Sequence, residues 1–178
     1  MSKAKIVLGG GCFWCIEAVF SDVVGVLRAK SAYSGGKRPN PSYEYVCSGV
    51  SGYAEVVEIE YDNEIISLEQ ILEIFFAIHN PTTLNAQGAD VGTQYRSVIY
   101  YANENEKKII EDAIAKAQNN FKDKIVTEVS PLGEVYIAEF YHQNYFKNNP
   151  YAGYCQAVIA PKVEKFKKNF KPLVKAPS

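Results

Sequence analysis

The chain has 178 residues, 47% of them hydrophobic and 22% charged, the balance of an ordinary folded globule, which excludes a disordered or collagen-like polymer. Nineteen lysines and arginines face twenty acidic residues for a formal charge of −1, so no positive field gathers phosphates and nucleic acid is not an expected partner. No apolar run approaches the roughly 20 residues that cross a bilayer. Met1-Ser-Lys-Ala-Lys leads straight into Ile6-Val7-Leu8 with no signal core, so the expectation is a cytoplasmic protein with no membrane partner.

In chain order, Lys5–Leu8 reads as a short apolar strand ended by Gly9-Gly10-Gly11. From Cys12 the pattern turns helical, with Phe13, Ile16, Val19 and Phe20 on one stripe. Val26–Tyr33 reads as a strand, residues 37–52 as a polar loop rich in turn formers, and Glu55–Tyr61 as a strand with Val57, Ile59 and Tyr61 on one face. Ser67 with Gln70 three residues on predicts a capping box at the head of a helix striped by Leu68, Ile71, Leu72, Phe75 and Ile78. Ser97–Tyr101 is a further strand and Asn105–Asn119 an amphipathic helix. Ile125–Val129 and Val135–Ala138 read as strand pieces, and Glu139–Phe146 as a short aromatic helix. Pro161–Lys175 carries six lysines and one glutamate around a stripe of Val163, Phe166 and Phe170, which predicts a helix that packs one side and solvates the other.

The order β-α-β-β-α-β-α-β predicts an α+β fold: a split βαβ (ferredoxin-like) sandwich with a mixed or antiparallel sheet and long connecting segments. A doubly wound sheet needs a helix after nearly every strand, and strands 2 and 3 lack one. One catalytic domain over residues 1–178, with a basic helical tail from about residue 160, is the expected organisation. At this length roughly 70% of the unfolded surface is buried on folding, so no staple is required.

Cys12, Cys15, Cys47 and Cys155 are the four cysteines. In a reducing compartment such residues are buried, bind metal or react. Only Cys12 and Cys15 are close, and His79 and His142 are far apart in the chain, so the spacing for zinc is missing and no metal is expected. Cys12 sits where three glycines turn a strand into a helix, and unpaired N–H groups there favour a thiolate, the nucleophilic form. Phe13 and Trp14, the latter the single tryptophan, are candidates to wall a small apolar pocket beside it. Cys15 follows one turn on, as in Cys-x-x-Cys disulfide oxidoreductases, which is the alternative reading. Tyr43 to Glu55 and Asp90 to Arg96 are two further clusters that bring carboxylates and tyrosines to glycine loops, where a buried Glu donates a proton and tyrosines hydrogen-bond a developing charge. Cys47 is expected to be structural and His142 a packed or hydrogen-bonding residue.

Gly11-Cys-Phe-Trp14 resembles the signature of the peptide methionine sulfoxide reductase A family. The resemblance continues through Tyr43…Val46-Cys-Ser-Gly49, Gly52-Tyr-Ala-Glu55, Asp90…Gly92-Thr-Gln-Tyr-Arg-Ser97, Tyr141-His-Gln…Tyr145, Asn149-Pro150 and Gly153-Tyr-Cys155. It implies an α+β fold and a thiol enzyme with no cofactor that reduces the S epimer of methionine sulfoxide, free or in proteins. By the same resemblance Cys12 attacks the sulfoxide sulfur, Glu55 protonates its oxygen, Tyr43, Tyr95 and Asp90 hold that oxygen, and Phe13 and Trp14 grip the methyl group. The resulting Cys12 sulfenic acid is resolved by Cys155, which matches the family's recycling cysteine, or by the nearer Cys15, and thioredoxin is the implied reductant. A monomer is the simplest expectation. The sequence departs from the familiar pattern in having Cys15 for Gly, Tyr53 for His and Asn80 for Asp.

Overall fold

The computed structural model of the chain describes residues 3–175; Met1, Ser2 and residues 176–178 lie outside the described residues. Eight strands form: β1 (Lys3–Gly9), β2 (Val26–Ser34), β3 (Ala54–Asp62), β4 (Ala86–Gln87), β5 (Asp90–Val91), β6 (Val98–Tyr101), β7 (Glu128–Pro131) and β8 (Val135–Ile137). Six of them make one mixed sheet in the order β7-β6-β1-β3-β2-β8, and β4 with β5 make a small separate hairpin. All pairs in the large sheet are antiparallel except β6 with β7. The helices are α1 (Phe13–Phe20), α2 (Tyr43–Cys47), α3 (Leu68–Ile78), α4 (Glu104–Gln118), α5 (Tyr145–Asn148) and α6 (Ala160–Asn169). The architecture is mixed α+β.

Period-2 alternation decides the layers. Ile6 and Leu8 of β1 and Val57, Ile59 and Tyr61 of β3 enter the main core, together with Phe13, Ile16, Val19 and Phe20 of α1, the α3 stripe, Ile110 of α4, and Val163 and Phe166 of α6. Val7, Ala32, Val56, Val98 and Tyr100 point the other way into a smaller cluster. Each fully buried Val or Ile contributes about 1.5–3 kcal/mol. By contrast, the exposed Lys3–Glu60 and Lys5–Glu58 pairs at 3.7 and 3.9 Å are worth about 0–1 kcal/mol. The α3 capping box forms as the sequence predicts, with Ser67 and Gln70 bonded reciprocally. Among the described residues no helix is long and apolar enough to cross a membrane.

Two segments differ from the sequence expectation, while the tail helix packs its apolar stripe as expected. The polar loop 37–52 contains α2, capped by the Ser42 side chain on the Tyr45 N–H. The segment Glu139–Phe146 is not a continuous helix: a 3-10 turn, Phe140–His142, is followed by Asn144 in the left-handed region (φ 54°) and then α5. Tertiary bonds displace helical ones there, because the Gln143 side chain clamps both the N–H and the carbonyl of Ser31 at 3.0 and 2.9 Å. The tail is helical from Ala160, preceded by a π-helical turn over Cys155–Ile159. Its Phe166 is wholly enclosed and its Val163 buried, so the apolar side of this helix joins the core while most of its lysines stay exposed. Truncating Phe166 to Ala is expected to lower stability by about 3–5 kcal/mol, read as a fall in the urea midpoint with little change in slope.

Candidate active site

The turn from β1 into α1 places Cys12 at the N-cap position, with extended backbone and no capping bond from its side chain. Gly11 has φ +86°, and its N–H donates to the Tyr95 carbonyl at 3.1 Å, which brings the 3-10 turn Thr93–Tyr95 alongside the cysteine. A Cβ on Gly10 would lie 2.7 Å from the His79 ring. That ring is fully buried, which lowers its pKa to about 4, so it is neutral. Its Nδ1–H donates to the Phe75 carbonyl (2.6 Å), which leaves Nε2 to accept from the Ser97 hydroxyl (2.8 Å). The glycine turn therefore rests on a rigid, uncharged floor.

Glu55, at the start of β3, is only 1% exposed. Its Oε1 accepts the Phe13 N–H at 3.2 Å, and its buried Oε2 has no hydrogen-bond partner within the usual distance among the described residues. Burial raises its pKa to about 8; the Phe13 N–H opposes this, Asp90 adds to it, and the Cys12 thiol opposes it slightly. Cys12 is 9% exposed. Burial first, then the Glu55 carboxylate and Cys15, push its thiol well above the ordinary value, against a smaller opposing effect from the Trp14 N–H. This corrects the sequence expectation of a helix-stabilised thiolate: desolvation and a neighbouring carboxylate outweigh the helix terminus. At neutral pH the resting site holds both protons.

Trp14 is held on several sides. Tyr145 stacks on it at 3.7 Å between centroids and 8° between planes, its Nε1–H donates to His142 Nδ1 at 3.1 Å, and Tyr154 meets it edge-on. Phe13 is buried against Tyr33 and His142. The Tyr43 ring lies 4.4 Å from His142, and its backbone N–H donates to Glu139, which also accepts the Tyr33 hydroxyl. Tyr95 is kept un-ionised by burial and then by Glu55, Cys47, Asp90 and Cys12, so these groups converge on one place. Asp90 accepts the Tyr154 hydroxyl at 2.8 Å, and that hydroxyl lies 3.9 Å from the Cys15 sulfur.

Several findings were not visible in the sequence reading. Tyr145 and Tyr154 join the site although neither was singled out for a role there; the only signal was the run of aromatics from Tyr141 to Tyr154. Cys47, expected to be structural, is half-buried at the end of α2, hydrogen-bonded with Tyr43, and its thiol is raised by burial first and also by the charge of Glu55. Cys155 is completely enclosed and is perturbed by burial alone, whereas Cys15 feels it. Tyr53, at the position of the family's His, packs as a core ring whose hydroxyl donates to the Arg38 carbonyl. A groove of about 1350 Å3 between α3, α4 and α6 is lined by none of the candidate groups, so volume does not mark this site. Among the described residues no His, Cys, Asp and Glu cluster is arranged to hold a metal.

A carboxyl with a pKa near 8 is measurable. The infrared C=O stretch of a protonated acid should persist at pH 7, fade above about pH 8 and be absent in Glu55→Gln. Because the folded-state pKa lies above the unfolded one, Glu55 costs stability as pH rises from about 4.5 to about 8, and Glu55→Gln should remove that part of the decline in denaturation midpoints.

A buried thiol, a neutral buried acid and a clamped indole define a thiol-based redox site. A family model described as peptide methionine sulfoxide reductase matches residues 4–173. A peptide methionine sulfoxide reductase MsrA from Polynucleobacter asymbioticus is 51% identical over 172 residues, 96% of this chain and 90% of that protein. Among solved structures, reduced Mxr1 from Saccharomyces cerevisiae superimposes with a TM-score of 0.82 at 34% identity, covering 86% of this chain and 90% of the other. Mxr1 in complex with Trx2 shares the fold at a TM-score of 0.59 and 24% identity, covering 81% and 85%. The chain belongs to the peptide methionine sulfoxide reductase family.

Proposed function

We propose that this chain reduces methionine S-sulfoxide, free or within proteins, to methionine, with Cys12 as nucleophile and Glu55 as acid. Family membership supports the reaction. The observation that carries the assignment of residues is the neutral, buried Glu55 anchored by the Phe13 N–H next to the Cys12 thiol. When the sulfoxide enters, its oxygen takes the Glu55 proton, the Cys12 sulfur attacks the sulfoxide sulfur, and the thiol proton returns to Glu55. That attack forms an S–S bond, and both it and the substrate S–O bond break as the protonated oxygen passes to Cys12, so the sulfoxide sulfur is reduced by two electrons to the thioether and Cys12 is oxidised to a sulfenic acid. Un-ionised Tyr43 and Tyr95 donate to the oxygen, and Asp90 acts through the Tyr154 hydroxyl. Phe13 and the clamped Trp14 grip the methyl group.

The resolving thiol is read here as Cys15 before Cys155. Cys15 closes the first turn on Cys12, its N–H donating to the Cys12 carbonyl at 3.1 Å, and it acts electrostatically on Cys12. This reverses the preference that resemblance alone supports. Its thiol condenses with the sulfenic acid to a disulfide and water, and Cys155 next receives that disulfide by exchange with Cys15. A thioredoxin is the proposed external dithiol; the relative Mxr1 forms a complex with Trx2. We further read the chain as one catalytic domain, cytoplasmic and monomeric. Its β6-β1-β3-β2 order, with α1 between β1 and β2 and α3 between β3 and β6, supports a split βαβ (ferredoxin-like) core.

Cys12→Ser should abolish sulfoxide reduction, and retained turnover overturns the assignment. Glu55→Gln should slow sulfenic acid formation in single turnover by about 10²–10⁴-fold while the fold persists; in the native protein that rate should fall as pH rises through about 8, where the acid is lost. Peptide mapping after one equivalent of sulfoxide should recover a Cys12–Cys15 link in Cys155→Ser; a lasting sulfenic acid there would assign resolution to Cys155.

A further inference from the structure

Glu17 is a second buried acid, 2% exposed, that the reaction above does not use. It stands on α1, three residues after Trp14 and so on the same side of the helix. Its Oε1 accepts the Asn144 N–H at 2.9 Å and its Oε2 the Ser31 hydroxyl at 3.3 Å, and the Tyr145 N–H donates to it as well. Ser31 of β2 is thus gripped twice, its side chain by Glu17 and its backbone by Gln143, whose amide also reaches the Ala138 carbonyl at 3.1 Å. The two residues flanking this clamp are His142, which takes the indole N–H, and Tyr145, which stacks on the indole face.

We infer that Glu17 is a positioning residue for substrate binding: by fastening Asn144 and Tyr145 to α1 it sets Tyr145 flat against Trp14 and so fixes the wall that receives the methyl group. Asn144 sits at φ 54°, a conformation that favours glycine, and the carboxylate holds the chain in it. Burial raises the Glu17 pKa to about 7 in spite of its donors, so an acid is kept there against a desolvation cost that an apolar side chain would not incur. Phe13, Glu55 and Cys12 lie outside this set of bonds, so Glu17 acts on the binding wall and not on proton delivery.

The role in substrate binding rests on the function proposed above, but the geometric claim has an independent readout, because Trp14 is the only tryptophan in the chain. Glu17→Leu fills the space without an acceptor, Glu17→Asp withdraws the carboxylate by one methylene, and Glu17→Gln keeps the acceptor for Asn144. Leu and Asp should shift the Trp14 emission maximum, increase its quenching by acrylamide and raise KM for methionine sulfoxide about tenfold with kcat within about threefold, the loss expected for one buried hydrogen bond. Gln should restore emission and KM to near the native values. Folded Asp variant with native emission and native KM overturns the inference, and so does a Gln variant as impaired as Leu. If Cys12→Ser instead retained turnover, the functional reading would fall while the emission comparison still decided what Glu17 positions.

Discussion

One hydrogen bond, from the Phe13 N–H to Oε1 of Glu55, joins the start of α1 to the start of β3, and the site depends on it. The bond exists because β1 and β3 pair in a register that sets Leu8 opposite Val57, so the glycine turn leaves the sheet beside Glu55. It uses a first-turn N–H that has no partner within its own helix. It also leaves the carboxyl buried with one oxygen unspent: burial keeps its proton on at neutral pH, and burial likewise raises the adjacent thiol.

Two buried acids, one on α1 and one against its first turn, are costly, since each holds a pKa well above the usual carboxylate range through desolvation. Their surroundings differ in a way that separates their roles. Glu17 has its oxygens occupied by N–H and O–H donors from two other segments, which makes it a fastening. Glu55 has an oxygen to spare, which makes it available to a substrate. The aromatic wall follows the same division. Trp14 is immobilised through bonds and stacking that trace back to Glu17 and Gln143, while the proposed acid and nucleophile sit on the glycine turn and β3, supported from behind by the neutral His79.

Much of the framework was readable from local pattern. The alternation of Val57, Ile59 and Tyr61, the Ser67 capping box and the tail stripe of Val163 and Phe166 each reappear as expected, because they depend only on period and on side-chain chemistry within one turn or strand. The segment around Glu139 to Phe146 failed because its aromatic spacing suits a helix while its polar side chains are committed to Ser31, Tyr33 and Tyr43, more than 90 residues earlier in the chain.

The sequence by itself determined the glycine turn, the helix-capping position of Cys12, the order of the main elements and the family, since these are written in contiguous residues. The tertiary structure alone decided the burial that raises the pKa values of Cys12 and Glu55, the partnership of Tyr145 and His142 with Trp14, and the complete enclosure of Cys155. Desolvation and long-range pairing belong to the environment a side chain is folded into, and no local pattern carries that information.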